Sequence, residues 1–437
     1  MGVATRYNNN RWRRLLGICA GAAVVSVACI PPVAVPLDPL PLPVTEYTVA
    51  SGFTGVSFTK VADVIGGADQ EIIVSRFGAP TTAPGSVTIL ERGSDLDEWT
   101  ATPVVTAADN IKFPNDTEVA DLNNDGLADL IVSGGFFSCS FGGTGCGSLQ
   151  WMEQGPAGVF TRHNIIAPDN ERFYHRAIVT DVDGDGITDL VTVGETFTSA
   201  RTEWYRGTAL GGAARFEPTP LIIGAGGGSL PVVTDVDGDG DDDVVSPQYF
   251  HPGPAVIWFE RVAEPTPGTP AGTWVQRTFS SAIGRGFEVD LVPDLLGDGT
   301  ARWIGTNHQN TVFDPSVESA VWRFDAAPDV TAPWAATKIS TGIQSRPKSP
   351  TTLAPGLFGT GDIDLDGSTD IVVSGDGDDR LFVMLQQPDD SFTTYVLASN
   401  MGQAGGAEVT DLDGDGRPEA LFTSYEQGVV KLYEIGS

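Results

Sequence analysis

A nine-residue loop, Asp-x-Asp-x-Asp-Gly-x-x-Asp running straight into apolar residues, recurs along the chain and constrains the fold more than any other feature. In VTDVDGDGITDLVTV, residues 179–193, Asp181, Asp183 and Asp185 occupy loop positions 1, 3 and 5, Gly186 position 6 and Asp189 position 9. Carboxylates this close repel one another unless a cation sits among them or water screens them. The pattern returns at Asp121, Asn123, Asp125, Gly126 and Asp129; at Asp235, Asp237, Asp239, Gly240 and Asp243; at Asp362, Asp364, Asp366, Gly367 and Asp370; and at Asp411, Asp413, Asp415, Gly416 and Glu419. A solvated Asp-Gly turn accounts for one such loop but not for the same ligand order in five.

Alternate side chains on a tight loop converge their oxygens, glycine allows the sharp turn at position 6, and position 7 offers a main-chain carbonyl. That carbonyl belongs to Leu127, Ile187, Asp241, Ser368 and Arg417 in the five loops. Hard oxygen donors without histidine or cysteine suit calcium over transition metals. An EF-hand is excluded, because its bidentate Glu at position 12 is replaced by Val132, Thr192, Ser246, Val373 and Phe422. From position 9 onward each copy reads as a strand: DLIVSG, DLVTVG, DVVSP, DIVVSG and EALFTS are short, β-branched and bounded by turn residues.

Two degenerate copies complete the series. ADVIGGADQEIIV keeps Asp63 and Glu71 but loses positions 3 and 5; VPDLLGDGTARWIG keeps Asp294, Asp298 and Gly299 but has Leu296 and Arg302 at positions 3 and 9. Neither is expected to hold calcium well, and the Arg302 cation is positioned to replace it in part. Seven loop starts between 63 and 411 give a mean period of 58 residues. Each period contains a strand into the loop, a strand out, an aromatic strand such as SLQWMEQ, TEWYRG, VIWFERV, AVWRFDA or VKLYEI, and an outer strand such as FTRHNII, FEPTPLI, WVQRTF or FTTYVLA. Four antiparallel strands repeated seven times predict an all-β, seven-bladed β-propeller. The chain ends one strand short, and TEYTVA at 45–50 mirrors TTYVLA at 393–398, so the N-terminal strand is expected to close the last blade and remove an open edge.

These loops, and SRFGAPTTAPGSVTIL in the first period, resemble the FG-GAP or VCBS repeat family, the calcium-loop propellers of integrin α-subunit heads and many bacterial surface proteins. The resemblance covers residues 45–437 and implies about five calcium ions and a binding or adhesion module at a cell surface.

A net charge of −32 argues against nucleic acid or anionic lipid as a partner, and five divalent ions would cancel ten of those charges. Residues 1–28 read as a signal peptide, with Arg6, Arg11, Arg13 and Arg14 ahead of LLGICAGAAVVSVA, an apolar run too short to span a bilayer. VSVAC resembles a bacterial lipobox and makes Cys29 the candidate for lipidation, with ordinary secretion as the alternative. Residues 29–44, rich in proline, predict an extended spacer ahead of a propeller at 45–437. Cys139 and Cys146, in a Gly-rich loop of an exported chain, are expected to form a disulfide. A monomer is expected.

The loops between blades, and those between second and third strands, fall on the face opposite the acidic hairpins. His175, His251 and His308 map there on successive blades, and Glu288 precedes Asp294 by the same six residues that separate His175 from Asp181. These four are the candidates for an acid–base or metal cluster, which would make the chain a lyase or hydrolase acting on polysaccharide. Beside Tyr174, Tyr249 and Phe250 they fit a contact surface equally. His163 is expected to pack in an outer strand. No nucleophile, phosphate-loop, zinc or dinucleotide motif is present, so a surface binding module for a protein or glycan ligand is the first reading, a polysaccharide-active enzyme the second and a structural surface component the third.

Overall fold

The computed structural model describes residues 36–436 except 68, 79–83, 137–146, 210–214, 252, 310–316 and 346–351. The signal and lipobox readings, Cys29, and the Cys139–Cys146 pair lie outside the described residues.

Short β-branched runs separated by Gly and Asp turns form seven four-stranded antiparallel sheets arranged as the blades of a propeller. Blades 1 to 6 span 56–105, 114–170, 177–225, 232–280, 286–338 and 358–399. Blade 7 spans 404–435 and takes its outer strand from Val44–Ala50, which pairs antiparallel with Val429–Ile435 in a register that sets Tyr47 opposite Leu432. This is the closure expected from the TEYTVA–TTYVLA match. Short helical turns fall at Ala107–Asp109 and Pro156–Gly158.

The core is divided between blades rather than gathered in one place. Each of seven apolar clusters joins one blade to the next: Ile73, Val87 and Ile89 of blade 1 meet Leu130, Val132 and Met152 of blade 2. Leu421 and Leu432 of blade 7 meet Val56, Ile72 and Val74 of blade 1, completing the circuit. Trp151, Trp204 and Trp258, fully buried on the third strands of blades 2, 3 and 4, are the bulk of their seams. Fully burying a large apolar side chain stabilises by about 1.5–3 kcal/mol, so each seam outweighs any single ion pair at the surface.

The last part of the proline-rich stretch is held against the propeller. Leu40 N donates to Val396 O, Val396 N donates to Asp38 O (3.0 Å each), and Leu37, Leu40 and Leu42 pack on blades 5 to 7. An extended spacer therefore ends before residue 37, not at 44.

Candidate metal centres and the face across the ring

Each acidic loop joins the first strand of its blade to the second, and its own hydrogen bonds shape it. The position 1 carboxylate accepts the N–H of the position 6 glycine at 2.8–3.0 Å in all five intact loops. The position 5 carboxylate accepts the position 7 N–H, from Leu127, Ile187, Asp241, Ser368 and Arg417, at 2.8–3.1 Å. The position 6 glycines have φ between 83° and 98°, a region that favours glycine.

Position 9 is different in kind. Asp129, Asp189, Asp243, Asp370 and Glu419 are 0–1 % exposed. One oxygen accepts the N–H of position 2: Leu122, Val182, Val236, Ile363 or Leu412. In four loops the other accepts an N–H of the third strand or just past its end, from Gln154, Gly207, Arg261 or Gln386. Position 9 thus staples hairpin to sheet. Burial pushes its carboxyl up, to about 6 at Asp129 and Asp189 and about 7 at Asp243, Asp370 and Glu419. Neighbouring loop carboxylates add to the effect.

Position 2 ties the loop to the neighbouring blade. Val64, Leu122, Val182, Leu295, Ile363 and Leu412 are 0–3 % exposed at the seams. The carbonyls of five accept hydrogen bonds from the next blade, donated by Gln154, Arg215, Arg261, Gln386 and Arg92. A change in a loop is felt at the seam beside it.

Four of the loops bring three carboxylate oxygens within 4.8 Å of one another: Asp181, Asp183 and Asp189; Asp235, Asp237 and Asp239; Asp362, Asp364 and Asp370; Asp411, Asp413 and Glu419. One oxygen each of Asp183 and Asp362 is buried there without a hydrogen-bond partner. Such an atom calls for an ion or water. An all-oxygen donor set with buried, unpartnered carboxylate oxygens fits a divalent cation of the calcium class. The loop at Asp121 carries an amide in place of a carboxylate at position 3, and Asn123 donates to Asp125 and to Glu153 of the third strand at 3.0 Å each. In the degenerate loop of blade 5, Arg302 grips both oxygens of Asp298, at 2.7 and 2.5 Å, and holds that carboxyl well below its usual range. The cation substitution expected from sequence is in place. The degenerate loop of blade 1 keeps the staple, with Glu71 accepting from Val64 and Ile65, while Asp63 accepts from Gly66.

Across the ring the four catalytic candidates do not form one cluster. His175 Nδ1 lies 2.9 Å from Glu195 Oε1, and His251 Nε2 lies 3.9 Å from Glu195 Oε2. Glu195 is 0 %, His175 6 % and the His251 side chain 8 % exposed. Burial lowers the His251 pKa. His308 belongs elsewhere: its Nδ1 is 2.8 Å from Pro355 O, its Nε2 3.4 Å from Asp376, and its ring stacks on Phe287 at 4.3 Å. Glu288 lies on the axis, with Oε1 4.0 Å from Arg176 and Oε2 accepting Phe358 N at 2.9 Å, and burial pushes it up to about 8. His163 is in the outer strand of blade 2, 2.6 Å from Glu153.

Sequence reasoning missed Glu195, whose one signal is a charged residue ending the apolar run DLVTVGE, and it missed the axial belt. Glu408 of blade 7 accepts Val61 N (3.0 Å), Lys60 of blade 1 meets Glu118 (3.4 Å), and Asp116 of blade 2 meets Arg176 of blade 3 (2.5 Å). Arg176 then reaches Glu288 of blade 5, which holds blade 6. Outside the axis runs a chain of aromatic contacts: Tyr425–Phe77 at 5.9 Å, Phe77–Phe113 at 3.8 Å, Phe113–Phe136 at 5.7 Å, Phe136–Phe250 at 5.3 Å and Phe250–Tyr249 at 4.5 Å.

A family model for the FG-GAP-like repeat matches residues 181–246 and 362–422, each match starting on a position 1 aspartate. The chain carries FG-GAP-like repeats. No curated protein matches its sequence. Solved structures similar to it include the exotype rhamnogalacturonan lyase YesX, at 13% identity and TM-score 0.44 over 89% of this chain and 75% of that one. Another is the Bacillus licheniformis rhamnogalacturonan lyase PL11, at 14% identity and TM-score 0.44 over 92% of this chain and 75% of the lyase. A third is the Dos1 propeller, at 9% identity and TM-score 0.43 over 88% and 78%.

Proposed function

We propose that this FG-GAP repeat chain is an exported, calcium-stabilised binding module of a bacterial surface, with calcium in the five intact loops and the ligand, protein or glycan, on the face across the ring. The leader and Cys29 support export and a lipid anchor, with secretion as the alternative route. The observation that carries the binding reading is the division of labour between the faces. One is a set of near-identical loops; the other presents the partly exposed rings of Phe77, Phe136, Phe250 and Tyr425 in a connected arc, with Phe197 beside it. Aromatic faces stack on sugar rings and fill protein interfaces, and rings tethered to a rigid sheet lose little entropy on binding.

In this reading the side chains of positions 1, 3, 5 and 9, with the position 7 carbonyl, hold each ion. The ion supplies charge compensation; the chain supplies a pre-shaped loop and a staple to the sheet.

Glu195 between two imidazoles favours a second reading, a polysaccharide-active enzyme. Glu195 is fully buried, and the His175 ring that pairs with it is packed against Phe136, Phe173 and Phe250, which speaks for the binding module instead. Binding and turnover on glycan and protein panels, in calcium and in chelator, separate the two. The binding reading expects saturable binding without turnover that Phe250→Ala weakens. Turnover abolished by Glu195→Gln would replace it with the enzyme.

A further inference from the structure

In blade 7 the third strand pairs Glu434 with loop position 9, and continuing the second–third strand register by one residue gives the equivalent position in the other blades. From blade 1 to blade 7 these residues are Glu91, Glu153, Arg206, which stands just past its strand, Glu260, Asp325, Leu385 and Glu434. Five are acidic and one is apolar; Arg206, in blade 3, is the one cation. Acids here deepen the negative potential around the loop: Glu260 acts on Asp237 in blade 4, and Glu153 accepts from Asn123 in blade 2. Blade 3 inverts that charge while keeping its full ligand set.

The Arg206 guanidinium reaches into the loop. Its Nη2 contacts Asp183 Oδ2 and lies 3.5 Å from Asp185 Oδ2, the side chains of positions 3 and 5. Asp183 is 6 % exposed, and its second oxygen is buried without a partner inside the trio with Asp181 and Asp189. Arg206 itself is 40 % exposed, so it leaves without disturbing the core. It also has somewhere to go. Its main-chain oxygen accepts Glu217 N at 2.8 Å, and a surface recess lined by Arg206, Gly207, Thr208, Glu217, Thr219 and Leu221 places an acidic side chain beside it.

The other loops supply the comparison. In blade 5 an arginine has taken over, with Arg302 paired to Asp298 and the carboxylates of positions 3 and 9 gone. In blade 4 the nearby Arg261 sits 3.4 Å from Asp241, whose side chain is not among the ligands. Among the described residues of blades 2, 6 and 7, no Lys or Arg pairs with positions 1, 3 or 5. Blade 3 thus stands between a filled-in loop and the open ones.

We propose that Arg206 is a resident competitor for the cation of the blade 3 loop, making this the weakest of the five sites for a divalent, oxygen-preferring ion, the last to fill and the first to empty. The inference rests on the reading of the acidic loops as calcium sites. An ion taken up at the unpartnered Asp183 oxygen would sit one carboxylate away from the guanidinium on the other oxygen, so loading works against that positive charge or displaces it. Because Val182 at position 2 is buried in the seam with blade 4 and its carbonyl accepts from Arg261, emptying this loop loosens that seam before any other.

Calcium titration of the metal-stripped full chain by isothermal calorimetry tests this, using the native protein, Arg206→Gln, Arg206→Lys and Asp183→Ala. The native protein should show one step weaker than the rest. Asp183→Ala should delete that step alone. Arg206→Gln should strengthen it by up to about fivefold, the scale of a half-exposed charge pair, while Arg206→Lys keeps it weak. The proposal is overturned if Arg206→Gln leaves the weakest step where it was, or if Asp183→Ala removes a tight one. Native protein that takes up no calcium would sink the loop reading itself, an outcome distinct from several equal steps insensitive to Arg206.

Discussion

On one face, the five intact hairpins repeat a single hydrogen-bond plan, with the position 9 carboxylate accepting the position 2 N–H in each, as Glu71 does in blade 1. On the other face and along the axis, no such repetition holds: Lys60, Asp116, Glu288 and Glu408, on the first strands of their blades, and Arg176, just before that of blade 3, share no charge pattern. Where every blade needs the same turn, the same residues recur. Where neighbouring blades meet across the axis, each position must complement a different partner. In the proposed reading the first face is architecture maintained by ions, and the second is where the chain acquires its particular ligand.

The largest effect should come from stripping the repeated face of its ions. Sites with dissociation constants near 10⁻⁴ M, in about 1 mM calcium, contribute on the order of 1.4 kcal/mol each, so five independent sites add roughly 7 kcal/mol. Differential scanning calorimetry with and without chelator should show Tm fall by many degrees; an unchanged melt would mean the loops are held without ions.

Within a loop, staple and ligand should separate. Asp370→Ala leaves two buried N–H groups, of Ile363 and Gln386, without an acceptor, at a cost of about 2–4 kcal/mol that persists in chelator, with the loss of an ion ligand added in calcium. Asp366→Ala, at exposed position 5, should lower stability mainly when calcium is present. Denaturant titrations of both variants in both conditions would show whether the two positions differ as described.

The axis should respond to pH instead. Burial raises Glu288 to about 8 in the fold, against an unfolded value near 4.3. The folded protein therefore holds a proton that the unfolded chain releases. Its contribution is complete below about pH 4 and is lost progressively as pH rises to about 8. Glu288→Gln removes that loss, so the variant should match the native protein near pH 4 and exceed it by about 1–3 kcal/mol at pH 8, read from denaturant midpoints. A variant less stable at pH 8 would make the Arg176 pairing the stronger term. The smallest effect belongs to blade 5: Arg302→Ala breaks an exposed pair and should leave both Tm and the number of bound ions nearly unchanged.

Much of the fold is legible in the residues alone. Blade number, loop positions and closure by residues 44–50 come from spacing, because a repeat that cannot hide both faces alone must stack on its neighbour. The outer strand of blade 5, Ala335–Lys338, carries no signal: four mostly exposed residues at an edge need no apolar alternation. The second role of position 9 is also hidden, since the third-strand N–H that reaches it is fixed by strand pairing and not by the loop sequence. Glu195 and Arg206 escape for the same reason. Their partners, His251 and Asp183, lie 56 and 23 residues away, and only the blade packing and the strand register bring them together.

Crystals grown in calcium, with anomalous scattering recorded to locate the ions, test the central claim most directly. The account predicts ions in the loops that start at Asp121, Asp181, Asp235, Asp362 and Asp411, the second of these the least occupied, and none at Asp63 or Asp294. Empty intact loops, or ions gathered in the degenerate pair, would contradict it.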